Sequence, residues 1–531
     1  MRCAFAVLWA IACTVSPTSP SHKAGTGSAR ASDSAGSDSA ALDACAPLSL
    51  DGSHRLDSDD LFGAPVEDPG TGALGPGLAL GDFDADGDLD AFAAFSVPHS
   101  RFLTNPGDGR LLPTDAWTVD GAPPPPAAGA ASADLDGDGD LDIVLGTPAG
   151  SSDLVLWNDG AGQFTSEALP DTLGQSMGPS LADVDGDGRL DIFIPGYVSI
   201  IDHSAIRNGA ATGDGNALWL QSDPGTFQAA HNYISDEQRT PMSFHGAWLD
   251  HDNDGDIDLF VSNDFGMEVI PQDLLLNSGG GKLEPHPGCA CDDEMYAMGA
   301  AVGDVDGDQR PDLHVSNIGA NRLYIQQPDG TYVDMAASLG ARPIDPASRT
   351  TWGSRFIDLD GDGWLDLVMV NGPTEPDQGD HLLQPDVLFL GDGDGRFAEV
   401  TYQQGFDDTT DNRAIVSGDL NRDGRPDLLT AGRTAVRVWL AGGGCNNRLT
   451  LRLNAGPGNS GGIGTRVDVQ IADQQTTQWV WPSSTFSSSE SALSVGLGSA
   501  SSATQVKVTW PNGQHDLFGA MPAGNHQVTS P

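Results

Sequence analysis

Positive charge is scarce in this chain. Its 531 residues hold 25 Lys and Arg against 75 Asp and Glu, for a formal net charge of -50. That excludes nucleic acid as a partner class, because phosphate binding draws its affinity from basic side chains that release counterions. Cysteine is scarce too, at six. Cys3 and Cys13 fall in an N-terminal apolar run, and the other four (Cys45, Cys289, Cys291 and Cys445) are too few for a disulfide scaffold. Cys289 and Cys291 lack a second pair at zinc-site spacing, which leaves a local disulfide or free thiols. Beyond the N-terminus no apolar run is long enough to span a bilayer as a helix. No Ser/His/Asp order, catalytic carboxylate pair, nucleotide loop or sialidase-type S-x-D-x-G-x-x-W box stands out, and twelve scattered His read as surface or structural positions.

Glycine and proline are plentiful, at 68 and 35, with 38% hydrophobic residues. This fits turn-rich β structure better than a disordered polyanion. A globule with so much negative charge repels itself unless it binds cations. The length suggests more than one unit, or one large repeat fold.

The N-terminus reads as an export signal, with Arg2 followed by the apolar run Cys3 to Val15. The run ends in Ala10-Ile11-Ala12-Cys13, which resembles a bacterial lipoprotein box with Cys13 as the lipidated residue; the alternative is an ordinary cleaved signal. Residues 1–13 are assigned to this signal. Residues 14–44, rich in Ser, Gly and Ala, are assigned to a disordered tether.

One pattern dominates the rest. D-x-D-x-D-G-x-x-D begins at Asp82, Asp134, Asp183, Asp250, Asp304, Asp358 and Asp419, at intervals of 52, 49, 67, 54, 54 and 61 residues. Small or apolar residues precede each copy and a short apolar run follows, so strand, tight loop, strand is expected. A second hairpin follows in most repeats, as in LVLWNDGAGQFTSEAL from Leu154. Two hairpins make a four-stranded blade, and the repeat count predicts an all-β, seven-bladed β-propeller over residues 45–445. Residues 446–531 are left for a small C-terminal β-sandwich.

Positions 1, 3, 5 and 9 of the loops collect carboxylates: Asp82, Asp84, Asp86 and Asp90; Asp134, Asp136, Asp138 and Asp142; Asp183, Asp185, Asp187 and Asp191; Asp250, Asp252, Asp254 and Asp258; Asp304, Asp306, Asp308 and Asp312; Asp358, Asp360, Asp362 and Asp366; and Asp419, Asn421, Asp423 and Asp427. Two such charges a few ångströms apart repel by ~4 kcal/mol at an effective dielectric near 20, and a dication reverses that sign. Calcium accepts six to eight oxygens, and the backbone carbonyl at position 7 (Asp88, Asp140, Arg189, Asp256, Arg310, Trp364 or Arg425) completes the set, for up to seven Ca2+. Glycine at position 6 permits the wrap, except that Gln309 replaces it in the fifth loop. Position 12 lacks the bidentate Glu of an EF-hand. The alternative is a set of solvated Asp-Gly turns without metal.

These loops look like the FG-GAP/VCBS calcium repeats of integrin α-subunit propellers. Asn263-Asp264-Phe265-Gly266, Met298 to Asp304 and Thr351 to Gly372 resemble the cartilage acidic protein family and its bacterial relatives. Asn446 to Leu449, Gly462 to Val467, Val495 to Gly498 and Val506 to Gly513 resemble an ASPIC/UnbV domain, from which Ala455 to Ser460 departs. The resemblance implies calcium binding and extracellular interaction. The expected function is a surface binding or adhesion module for an extracellular protein or glycan, exported and tied to membrane only through a lipid on Cys13. A polysaccharide-active enzyme and a purely architectural protein are the alternatives. Two further expectations concern the ring: a Cys45–Cys445 bridge where its ends meet, and a polar rim of Asn263, Asp264, Asn317 and Asn371 on the face away from the loops. Turn-closing asparagines are the plainer reading of that rim.

Overall fold

Small and apolar residues flanking each aspartate loop are almost wholly buried and form the first two strands of an antiparallel sheet. In a computed structural model, which describes residues 48–63, 75–172, 174–199, 201–208, 210–235, 240–343, 349–374, 383–444 and 446–531, Gly77–Gly81 enters the first loop and Asp90–Ala94 leaves it. Arg101–Thr104 returns and Leu112–Thr114 forms the edge. The same order recurs in the sheets that begin at Gly129–Ala133, Ser180–Ala182, Met242–Leu249, Ala297–Gly303 and Thr351–Ile357. The last repeat supplies Asn412–Gly418, Asp427–Gly432 and Ala435–Gly442 to a seventh sheet. Its missing strand comes from the other end of the chain: Ser49–Asp51 pairs with Ala435–Gly442, Ser49 opposite Gly442. The sequence reading did not anticipate this exchange.

No sheet closes on itself; the circuit is made by packing. Phe83 and Phe92 of the first sheet share a cluster with Ile143 and Phe164 of the second. Val144 and Ile192 join the second to the third, and Phe193 and Trp248 the third to the fourth. Phe260 meets Tyr324, Leu323 meets Phe389, and Val368 meets Trp439 in the next three seams. Leu78 and Leu80 of the first sheet close on Val416 and Leu429 of the seventh. This is a β-propeller.

From Asn447 the chain forms a three-stranded and a four-stranded sheet around Leu449, Leu451, Val467, Val469, Val495 and Trp510, a small β-sandwich. One hairpin leaves it. Ser483–Ser484 and Ser487–Ser488 add to the first propeller sheet, with Ser488 opposite Ala79. Phe486 at the tip is fully buried among Phe244, Met298 and Trp352, residues of three different inner strands. Gly299 in an inner strand and Gly178 just ahead of one make room by omitting side chains: a Cβ on either would overlap Thr485 or Phe486.

Cys289 and Cys291 form a disulfide. The signal, Cys13, the tether and both members of the expected Cys45–Cys445 bridge lie outside the described residues.

Candidate metal sites and the face they share

Each loop is wound by its own backbone. Gly87 N–H donates to Asp82 Oδ2 at 2.9 Å, and the same position-6 to position-1 bond recurs at Asp183, Asp304, Asp358 and Asp419. Gln309 keeps this bond by adopting φ 71°, close to the φ 83° of Gly424.

Position 9 is a staple in every loop. Asp90 accepts Phe83 N–H at 3.3 Å on one oxygen and Asn105 N–H, from the third strand, at 2.9 Å on the other. Asp142, Asp191, Asp258, Asp312, Asp366 and Asp427 repeat the pair. Burial pushes these carboxyls up to about 8 in Asp90, Asp142, Asp191 and Asp258, to about 7 in Asp427, and well above the ordinary range in Asp312 and Asp366. A cation nearby would reverse that shift.

Carboxylate oxygens come within 4.8 Å of one another in the sets Asp82, Asp84, Asp86; Asp134, Asp136, Asp142; Asp183, Asp185, Asp191; Asp250, Asp252, Asp254; and Asp304, Asp306, Asp308. Asp82 Oδ1 and Asp250 Oδ1 are buried without a hydrogen-bond partner among the described residues. Clustered hard oxygens with orphaned lone pairs fit a divalent cation bound through oxygen. At position 7, Arg189 and Arg310 pair with Asp187 and Asp308, and Arg425 sits 3.3 Å from Asp423. These side chains partly offset loop charge while leaving the position-7 carbonyl free to serve.

Sequence reasoning missed two supports of these loops. The first is an amide at the end of the third strand. Asn158 Nδ2 donates to Leu141 O of its own loop at 3.1 Å and to Phe83 O of the preceding loop at 2.9 Å. Asn277 does the same with Ile257 and Val184, and Gln221 and Gln326 reach back to Leu135 and His251. Asn105 reaches Leu420 of the seventh loop at 2.7 Å, so the tie runs across the seam between last and first repeats. The signal was an Asn or Gln just before the third-strand turn in five of the seven repeats, with Gly391 and Ala441 in the other two, and it reads equally well as turn chemistry.

The second support is the sandwich, which sits on the loops. Arg448 donates to the carbonyls of Asp358 and Leu359, both at 2.6 Å, and Gly496 N–H to Asp358 Oδ2 at 2.7 Å. Burial raises Asp358 to about 6, with the Arg448 charge pulling the other way. Arg466 reaches Asn253 Oδ1 at 2.9 Å and Gln309 Oε1 at 3.3 Å, which gives the odd residue of the fifth loop a partner. Gly458 O accepts Leu190 N–H at 3.2 Å, and Ser460 hydrogen-bonds Asp134. The divergent Ala455–Ser460 stretch is therefore part of the seat.

On the other face the plainer of the two readings holds. Asn263, Asn317 and Asn371 are buried, not a rim. Asn263 accepts Ser243 Oγ and donates to Pro271 O; Asn317 accepts Tyr296 N–H and donates to Ala320 O; Asn371 accepts Thr351 Oγ1 and donates to Pro385 O. Asp264 is buried too and accepts Tyr197 O–H at 2.7 Å. Asparagine there closes turns, because its amide satisfies backbone and hydroxyl groups at strand ends.

Family models settle the kind of repeat. An FG-GAP-like repeat matches residues 82–145, 134–194, 304–369 and 377–430, and the ASPIC and UnbV model matches residues 455–530. The chain is an FG-GAP-repeat protein with a C-terminal ASPIC and UnbV domain. The loop at Asp250 lies outside the matched segments, 67 residues after the one at Asp183. The search of curated proteins gave no match. Among solved structures, an Agrocybe aegerita lectin specific for non-reducing terminal N-acetylglucosamine is 16% identical over 74% of this chain and 99% of its own, with TM-score 0.38. BBS1N, solved in complex with ARL6DN, is 11% identical over 73% and 96%, with TM-score 0.42. The extracellular domain of the one-component system BT4673 from B. thetaiotaomicron is 9% identical over 73% of this chain and 39% of its own, with TM-score 0.42. Likenesses this distant say nothing about ligand.

Proposed function

We propose that this protein is exported and works outside the cell as a calcium-loaded binding module for a protein partner, presented on the propeller face away from the FG-GAP loops. One observation carries the reading. Nine large hydrophobic residues are exposed among the described residues, and five of them lie in connections between second and third strands: Val97 (46%), Ile201 (38%), Met267 (50%), Ile318 (40%) and Leu383 (73%). Antiparallel order puts all five connections at the end of the sheets opposite the loops. The loop face is occupied by the UnbV domain, so the apolar residues concentrate on the face left open. Exposed apolar positions gathered on one face mark interaction surfaces, and aliphatic ones suit protein better than sugar.

Panels of extracellular proteins and of glycans, probed in calcium with wild type and with Met267→Asp/Ile318→Asp, test this. Protein binding that the double variant loses, at unchanged melting temperature, supports the reading. Binding to glycans alone, or protein binding that survives the double change, overturns it. Attachment through a lipid on Cys13 is part of the same proposal, and mass spectrometry of the mature N-terminus reads it directly; a chain starting well beyond Cys13 rules the anchor out.

A further inference from the structure

A cavity of about 110 Å³ lies where the UnbV domain meets the inner strands of the fourth to seventh sheets, and a half-buried arginine stands in its wall. Arg355 comes from the inner strand Thr351–Ile357. Its Nε donates to Ser417 Oγ at 2.8 Å and its Nη1 to Pro482 O at 3.3 Å, and no carboxylate pairs with it among the described residues. Burial pulls its guanidinium down to about 10. Arg413 and Arg433, more deeply buried, both pair with Asp411.

In a chain with three acids for every base, a half-buried cation left without one of them calls for a reason. Three more donors belong to the same wall. Trp248 Nε1, Trp481 Nε1 and Gln478 Nε2 are buried with no hydrogen-bond partner among the described residues. Carboxylates do border the cavity, but each is engaged. Asp358 takes Gly496 N–H, Asp419 takes the amides of Asp423 and Gly424, and Glu490 takes Arg452 at 2.5 Å. Arg452 itself is exposed and marks the mouth. Arginines and carboxylates balance in the wall at three each, and what is left over is hydrogen-bond donors: the free N–H groups of Arg355 and the three unpaired N–H groups, with apolar indole walls, in a space the size of a few heavy atoms.

We propose that this cavity binds a small oxyanion (sulfate, phosphate or a short carboxylate) on Arg355, held between the propeller and the UnbV domain. The ion would satisfy the unpaired guanidinium and fasten the two parts from within. Tetrahedral sulfate and planar acetate share the acceptor chemistry and differ in shape, so a series of anions separates them.

The test uses the full chain in saturating calcium at fixed ionic strength, with chloride replaced stepwise by sulfate, phosphate or acetate. At about a hundredfold excess over Kd, the favoured anion should raise the melting temperature of wild type by roughly 3 °C, saturably. Arg355→Met, which keeps the aliphatic stem, should lose that rise. In chloride alone it should melt no lower than wild type, because it removes a partly desolvated charge that no carboxylate compensates. Selenate soaked into crystals should give an anomalous peak within hydrogen-bond reach of Arg355. A rise of equal size in Arg355→Met, no rise with any anion, or selenate bound elsewhere would overturn the proposal. Arg355→Met melting well below wild type in chloride would overturn it as well, by showing that the guanidinium is satisfied by the protein itself.

Discussion

Truncating Phe486 to alanine tests whether propeller and UnbV domain share one core. The ring is fully buried, stands edge-on to Phe244 at 5.9 Å between centroids and lies 6.3 Å from Trp352. Removing a buried phenylalanine costs about 3–5 kcal/mol, and each aromatic pair adds about 0.5–1.5 kcal/mol beyond area. Relaxation is limited here, since backbone of the first, second and third sheets presses on the tip where Gly77, Gly129 and Gly178 lie. About 4 kcal/mol is therefore the expectation. Described residues number more than 400, so the entropy of unfolding is near 1 kcal/mol/K, and one cooperative transition should move down by about 4 °C. Calorimetry in saturating calcium gives the number, and limited proteolysis at the 443–446 junction gives the cooperativity. If the hairpin belongs to the propeller core, Phe486→Ala lowers a single transition. A variant that splits into two transitions, with the propeller melting where wild type does, would refute the shared core; a loss under about 1 kcal/mol would refute the packing.

Three further outcomes are expected. Chelation should lower the melting temperature sharply, by about 2.7 kcal/mol of stability for each ion held at a hundredfold excess over its Kd, and Asp360→Ala or Asp136→Ala should cost more than Asn421→Ala; an unmoved melting curve refutes the metal assignment. Asn105→Ala should cost about 2–4 kcal/mol, the same as Asn277→Ala, because both strip two buried carbonyls of a donor; a much smaller loss at Asn105 in denaturant titration would mean that the first and seventh sheets are not tied as described. Burial raises Asp264 to about 7, so its ionisation opposes folding: that part of the stability is complete below about pH 4 and is lost as pH rises to 7. Melting of Asp264→Asn should therefore gain on wild type across that window, and parallel curves would show that Asp264 is not held neutral.

The repeat, the position of every loop and the strands on either side were legible in the sequence because carboxylate spacing and glycine placement are local properties. Gly139 needs φ 101° and Asp142 needs two amides, and both demands are met within one repeat. What could not be read is what depends on distant partners. Asn105 looks like any turn asparagine until Leu420, 315 positions away, is seen beside it. Asn263 and its equivalents looked like a rim because strand direction gives the end of a strand but not its burial. The Ser483 to Glu490 stretch carries no periodicity, and its single phenylalanine acquires meaning only from glycines at the inner strands that nothing local marks out.

Closure of the last sheet by Ser49–Asp51, together with the hairpin at the axis, bears on biogenesis. Leu78 N–H finds its acceptor, Ser487 Oγ, 409 positions further on. Contacts this non-local are slow to form, since loop entropy is spent before they return anything. The first sheet cannot receive its inner partner, nor the seventh its outer strand, until nearly the whole chain is available. During synthesis the nascent polypeptide is therefore held open by its own topology, which suits passage through an export channel that accepts only unfolded chain. Under the proposed export, folding would be completed on the far side of the membrane, where calcium to fill the aspartate loops is plentiful.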